Sequence, residues 1–317
     1  MAVVAVVVAR IFRRGAGSLA ARVVCRIACG GSGRGRLARG LGEGRRHNHL
    51  PTIPRVTEAI YERDGDWYVP SRLAGGPWSP DSQHGGPPSA LLAGAIEQVQ
   101  PPDMFVARLT VELLKPVQMI PHRIEVEVLR PGKRVQLIGA RLLSADGEVA
   151  RATALRIRRD RDITQEPLHV VPQPDPPGRG ETHQEFRGFR HYFADAIEVR
   201  YLSGAAEVPG PATAWIRLAV PLVAGEKPSP LQRVMVAADT GNGISAELDF
   251  RENVFINPDL TVYLHRLPVG EWICLDSVTD LGEGTGLAQS ALFDLEGPLG
   301  RSLQALYVER SSPRDGD

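Results

Sequence analysis

Cysteine is scarce in this chain, with three residues, Cys25, Cys29 and Cys274, in 317. An odd and sparse set does not support a disulfide framework, and Cys25 and Cys29 lack the spacing and the second pair of a zinc site. The expected compartment is therefore reducing and cytoplasmic. No window reaches the roughly 18 consecutive apolar residues of a spanning helix. A Gly-x-Ser-x-Gly elbow, a phosphate loop and a paired metal motif are also missing, and His47-x-His49 alone is weak. Net charge is absent too, since 37 Lys and Arg balance 37 Asp and Glu. That balance hides an asymmetry: residues 1–50 hold ten Arg against Glu43, a charge of +9, which leaves −9 on the remainder. A mildly acidic body argues against nucleic-acid binding, which needs a basic face on the folded domain.

Residues 1–50 combine an apolar start with an Arg-, Gly- and Ala-rich continuation. The charge follows the apolar run, the reverse of a secretory signal. Such a composition cannot bury a core, so the segment reads as a disordered or over-long basic extension, with an Arg-rich targeting segment as the other reading. Gly15-x-Gly17-x-x-Ala20 is not a dinucleotide loop, because Arg10, Arg13 and Arg14 stand where strand and turn belong.

From about Thr57 the pattern becomes regular, and it runs twice. Short strands are predicted over Thr57–Arg63 and Trp67–Pro70, around an Asp64-Gly65 turn. Gly85-Gly86-Pro87-Pro88 leads into a helix predicted over Ser89–Gln98, with Ser89 as N-cap and Pro101-Pro102 as the stop. Four strands follow: Phe105–Leu114, His122–Arg130, Arg134–Ser144 and Val149–Arg158. A Pro-rich linker spans His169–Gly180. The second pass gives strands at Ile197–Leu202 and Thr213–Val220 and a helix at Leu231–Asp239. Its last four strands are Leu260–Arg266, Trp272–Asp280, Leu287–Leu295 and Leu303–Arg310.

The two passes match locally. Thr110-Val111-x-Leu113 repeats as Thr261-Val262-x-Leu264, and Asp146-Gly147 with Arg151 repeats as Glu296-Gly297 with Arg301. A strand pair, a helix and four antiparallel strands, twice over, is the order of a double hotdog: an α+β fold in which each helix lies across a curved sheet. Two unrelated α+β domains are the alternative. The expected organisation is an N-terminal unit over 51–165, a linker over 166–190 and a C-terminal unit over 191–312.

Three segments in order carry a family resemblance. They are Gly76-Pro77-Trp78-Ser79-Pro80-Asp81-Ser82-Gln83-His84-Gly85-Gly86-Pro87-Pro88, then Asp259-Leu260-Thr261-Val262-Tyr263-Leu264-His265-Arg266 with Glu271-Trp272, and finally Gly297–Gln304. The chain resembles the double-hotdog thioesterase-like family, related to acyl-CoA thioesterase II, over about Thr57–Arg310. The resemblance implies hydrolysis of an acyl-CoA, without metal or cofactor, by an Asp, a Ser or Thr and a Gln, matched here to Asp239, Thr261 and Gln304. It departs at Leu260, where relatives of that type carry His. His84, Gly85 and Gly86 are the expected substrate-binding residues; the two glycines let backbone approach a ligand closely.

In thioester hydrolysis Asp239 can take a proton from water, the Gln304 carboxamide can orient that water, and Thr261 can add one hydrogen bond. At the repeat offset, Gln304 falls on Ala154 and Asp239 near Ser89, so one active site per chain is expected. Singly, each residue has a structural reading: Asp239 as a helix end, Thr261 as a strand former, Gln304 as a polar strand residue. Trp78 and Trp272 read as packing. Two rivals stand beside the hydrolase. One is a non-catalytic acyl-binding module. The other is a hotdog enoyl-CoA hydratase, which needs Asp81 and His84 facing the pocket. The exposed edges of hotdog sheets leave a homodimer open.

Overall fold

The computed structural model describes residues 59–101, 103–160, 162–163, 169, 171–178, 192–205 and 208–311. The expected basic extension and the start of the first predicted strand lie outside these residues. The first half contains β1 (Tyr61–Asp64), β2 (Trp67–Pro70), α1 (Gly86–Glu97), β3 (Met104–Leu113), β4 (His122–Arg130), β5 (Val135–Ser144) and β6 (Gly147–Arg158). The second contains β7 (Ile197–Ala205), β8 (Val208–Leu218), α2 (Pro230–Ala238) and α3 (Gly241–Ile244). It continues with β9 (Asn253–Ile256), β10 (Asp259–Leu264), β11 (Ile273–Leu281), β12 (Thr285–Asp294) and β13 (Gly297–Arg310).

All these strands join one 13-stranded sheet in the order β1-β2-β4-β5-β6-β3-β10-β13-β12-β11-β8-β7, with β9 on the far part of β13. The two halves meet where β3 pairs antiparallel with β10. Thr110 lies directly opposite its repeat-mate Thr261, and the Thr261 hydroxyl donates to that of Thr110 at 3.2 Å. The local two-fold of the duplication therefore passes between these residues. Gly147 and Gly297 open β6 and β13 at φ +107° and +136°, a backbone that L side chains rarely adopt. The chain is a double hotdog.

Both helices begin where the sequence supplies a start. In α1, Pro87 and Pro88 fill the first turn, where a missing N–H costs nothing. The helix thus starts three residues before the predicted one. Gly85, not Ser89, is its N-cap, and the Ser89 hydroxyl instead donates to Gly85 O at 2.7 Å. In α2, Ser229 and Gln232 form a reciprocal capping box ahead of Pro230. The Ser229 hydroxyl also donates to the Glu97 carboxylate at the end of α1, tying the two helices together.

The helices pack on each other and on one face of the sheet. Leu91, Leu92 and Ile96 of α1 join Ile138 and Leu142 in a core cluster that also holds Leu231, Val234 and Met235 of α2 with Ile216 and Leu275. Each such side chain contributes roughly 1.5–3 kcal/mol of burial.

The halves differ between helix and seam strand. From Gly86 to Thr110 is 24 positions, and from Pro230 to Thr261 is 31, seven more. The longer connection holds α3 and β9, neither of which was expected from the sequence. It also corrects the repeat-mate of Asp239. Counted from the helix starts, that position is Ala95, not Ser89. The part of the expected linker that is described runs against the second half: Trp215 Nε1 donates to Asp175 O and Gln173 Nε2 to Asp294 O, both at 2.8 Å.

Candidate active site

Asp239 ends α2, its own N–H still bonded to Met235 O, so the helix fixes where the carboxylate hangs. Its side chain is 2% exposed. Three side chains reach it from three directions. Asn257, in the turn between β9 and β10, donates from Nδ2 to Oδ1 at 2.8 Å. Gln304, on the helix-facing side of β13, donates from Nε2 to Oδ1 at 3.3 Å and to Asp239 O at 3.2 Å. His84 places Nδ1 2.9 Å from Oδ2.

Gln304 is held at its other end as well. The backbone N–H of Asn242, in α3, donates to Gln304 Oε1 at 3.0 Å. Gly241 leaves the space this needs, since a Cβ there would sit 2.8 Å from Ser290 Oγ and 3.2 Å from Gln304 Oε1. Gly85 plays the same part on the opposite side. A Cβ on it would lie 2.8 and 3.0 Å from the two Asp239 oxygens, so only glycine admits the first half to the carboxylate.

A cavity of about 410 Å³ opens onto this cluster. His84, Gly85, Asp239, Asn242 and Asn257 form its polar end, while Trp78, Leu113, Phe193, Val199, Tyr201 and Phe250 are among its apolar walls. The His84 ring is stacked on Phe193, with centroids 4.3 Å apart. Trp78, expected only to pack, makes a wall with Phe250 and Phe255, each 5.7 Å from it. Both halves of the chain thus contribute to one site. Behind the wall, the Tyr61 hydroxyl donates to Gln83 Oε1, and Gln83 Nε2 donates to Gln118 O and lies 3.5 Å from His122 Nδ1. Burial pushes the His122 ring down to about 4 from 6.5, against the opposing effect of its bond with the Ile120 backbone.

Of the residues expected to act together, the fold unites Asp239 with Gln304 and brings His84 and Gly85 to them. Gly86 sits just behind, its N–H 3.1 Å from His84 Nδ1. Thr261 is not brought to the cluster. It pairs with Leu303 across β10 and β13, so it shares a sheet face with Leu303, and Gln304 projects from the other. Leu260 points inward and is fully packed in the core. Asp81 is absent from the cavity wall, so the Asp81–His84 pair expected of a hydratase is not formed there. Asn257 went unnoticed in the sequence, where Asn257-Pro258 reads only as a turn before the β10 motif.

The motif residues around β10 have other work. Asp259 Oδ1 accepts the Ala305 N–H at 2.8 Å, stitching β10 to β13. Burial raises its carboxyl, and the charge of Glu112 adds to this, while the Ala305 N–H opposes both. Arg266 grips the fully buried Asp294 in a two-pronged pair at 2.5 and 2.6 Å, and the Val269 and Glu296 N–H groups donate to the same carboxylate. Burial acts to raise that carboxyl, but these four bonds outweigh it and hold it below its ordinary range. Among the described residues, no cluster of three or more His, Cys, Asp or Glu is placed to hold a metal ion, and no helix is long and apolar enough to cross a membrane.

Comparison with known proteins agrees with this architecture. The family model for the acyl-CoA thioesterase N-terminal domain matches residues 74–157, and that for the acyl-CoA thioesterase C-terminal domain matches 167–308. A conserved hot dog protein of unknown function from Alicyclobacillus acidocaldarius superposes with a TM-score of 0.62 at 17% identity, covering 80% of this chain and 96% of that one. A tesB protein from Mycobacterium avium subsp. paratuberculosis gives 0.58 at 16% identity, over 78% and 96%. An acyl-CoA thioesterase II from Mycobacterium marinum gives 0.53 at 16% identity, over 76% and 98%. At these identities the likeness is one of fold. No curated protein sequence matches the chain. The two family models together span most of the chain in the order its two halves occur, and the chain belongs to the acyl-CoA thioesterase family of fused N- and C-terminal hotdog domains.

Proposed function

We propose that this protein hydrolyses an acyl-CoA thioester to a free acid and CoA, with one active site per chain. The observation that carries the reading is an apolar cavity of about 410 Å³ closed at one end by Asp239, Asn257 and His84, with Gln304 bonded to Asp239 behind them. The acyl group lies along Phe193, Val199, Tyr201 and Phe250, with the thioester at the polar end. Gln304 and Asn257 hold the Asp239 carboxylate in place, and the glycines at the α1 start bring main chain close to the carbonyl. Such fixed donors and acceptors need no reorganisation as charge develops. The first half has Ala154 and Ala95 at the positions of Gln304 and Asp239, so it supplies a wall and His84 rather than a second site.

The test is free-thiol release from short- to long-chain acyl-CoAs by wild type, Asp239→Ala and Gln304→Ala. Chain-length-dependent release that falls on the order of 100-fold or more in both variants is the expected result. Binding without release by wild type would leave the non-catalytic acyl-binding module. Loss of enoyl-CoA absorbance without thiol release would leave the hydratase.

A further inference from the structure

An acyl-CoA, the substrate class on which this inference rests, joins its thioester to a long polar arm that ends in phosphates. The cavity needs a mouth through which that arm leaves, and the exposed part of its wall shows where the mouth lies. The exposed wall residues are Trp78, Leu114, Lys115, Pro116, Ile256 and Pro258. All but Trp78 come from two segments that lie side by side, since the Leu113 N–H donates to Pro258 O at 2.7 Å. This strip adjoins the polar end of the cavity. Asn257 within it donates to Asp239 at 2.8 Å, and Leu113 Cδ1 is 3.1 Å from where a Cβ on Gly85 would sit. A thioester held at Asp239 therefore sends its arm out past Leu114, Lys115 and Pro116.

Lys115 is the one Lys or Arg on the cavity wall. Its backbone is fixed on both sides. The Leu114 and Lys115 N–H groups share Val149 O at 3.0 and 3.3 Å, and the following Pro116 favours an extended conformation at Lys115. Among the described residues, no hydrogen bond or ion pair engages the Lys115 ammonium. The acids on either side of it are turned to arginines. Glu112 lies 3.8 Å from Arg151, and Glu148 lies 2.8 Å from Arg151 and 3.8 Å from Arg141.

The mouth thus carries an uncompensated positive charge on a body whose residues 51–317 sum to −9. Charges farther off than about 8 Å are largely screened at physiological salt, so the local cation decides what an approaching anion feels. A compact ammonium on a flexible stem serves as a point charge for phosphate, with which it makes a charge-assisted bond. With a neutral amide of the arm it gains less than the water it gives up.

We propose that Lys115 is a binding residue for the phosphates of the CoA arm, holding the coenzyme at the mouth while the thioester rests at Asp239.

The experiment compares wild type, Lys115→Gln and Lys115→Arg on an acyl-CoA and on the matching acyl-pantetheine, which keeps the thioester and amides but has no phosphate. Lys115→Gln should raise KM for the acyl-CoA about five- to tenfold at low salt with kcat held, and move KM for the acyl-pantetheine by less than about twofold. Lys115→Arg should return KM for the acyl-CoA to near the wild-type value. Added salt should raise the wild-type KM toward that of Lys115→Gln. An equal rise in KM on both substrates overturns the assignment and marks a contact with the amide arm; no rise on either also overturns it. Calorimetric titration with the acyl-CoA separates binding from catalysis. A wild type that hydrolyses no acyl-CoA yet binds one about five- to tenfold more tightly than Lys115→Gln overturns the hydrolase reading and supports the assignment. Equal affinities for the two proteins overturn the assignment whether or not the wild type is active.

Discussion

Thr261 and Asn257 are four positions apart, yet only Asn257 reaches Asp239. Asn257 lies in the turn before β10 and is not bound by the strand's alternation, whereas Thr261 is. Leu260, Val262 and Leu264 turn inward on β10, which sends Thr261 to the outer face, beside Thr110. Thr261→Val should therefore leave kcat close to wild type and cost about 1 kcal/mol of stability, the worth of one exchanged hydrogen bond, as read by urea unfolding. Gly85→Ala should do the reverse. The added methyl meets both Asp239 oxygens, so kcat should fall on the order of 100-fold, as misplaced groups commonly cause, with wild-type circular dichroism retained. The inward alternation of β10 was legible in its sequence. The register that sets Thr261 against Leu303, and so away from Gln304, was not, because it depends on a partner strand some forty residues later. His84 and its glycines were found because they stand in the first of the three segments that carry the family resemblance. Phe193 was not, since nothing in its own neighbourhood says that it will stack on His84.

First-half strands bounded by Pro-Gly, Asp-Gly and similar turns were read to within a few residues, because turn chemistry is local, whereas β8 and β13 begin five and six residues before their expected starts. The elements that escaped, α3 and β9, lie in the longer connection between α2 and β10. Gly241-Asn242-Gly243-Ile244 has poor helix propensity and is held by Gln304 and its own turn hydrogen bonds. The same connection delivers Asn242 and Asn257 to the site, so the part of the second half that breaks the repeat also completes the polar end of the cavity. The β12–β13 hairpin shows a different divergence. Ser144 in the first half accepts the Asp146 N–H, while its counterpart Asp294 accepts the Glu296 N–H and also neutralises Arg266. Asp294→Ala would leave the guanidinium and two N–H groups without that partner. A loss of about 3–5 kcal/mol is expected, measured as a lowered Tm and urea midpoint.

Stability of the molecule as a whole should depend on pH through His122, which is nearly inaccessible and held down at about 4. The unfolded chain takes up a proton near the ordinary 6.5, so between these values the unfolded state binds more protons than the folded one. Stability is then complete above about pH 6.5 and falls as pH drops toward 4, by about 3 kcal/mol in all. Chemical denaturation at pH 7 and at mildly acidic pH should show this decline, and His122→Gln should flatten it. Cys274 has no such role: burial pushes its thiol up to about 12, with Asp276 adding to the effect, which makes it a packing residue.

The seam at Thr110 and Thr261 has an evolutionary corollary. Two identical subunits meeting at such an axis inherit every substitution twice, so a change that ruins one site ruins both. Once the subunits share a chain, each copy drifts alone. Here one copy has supplied a histidine and part of the apolar wall, the other a carboxylate, two carboxamides and the rest of that wall, and the vacated mirror positions are left to alanine. Fusion turned symmetry from a constraint into a division of labour, and it did so without moving the strands that record where the symmetry once lay.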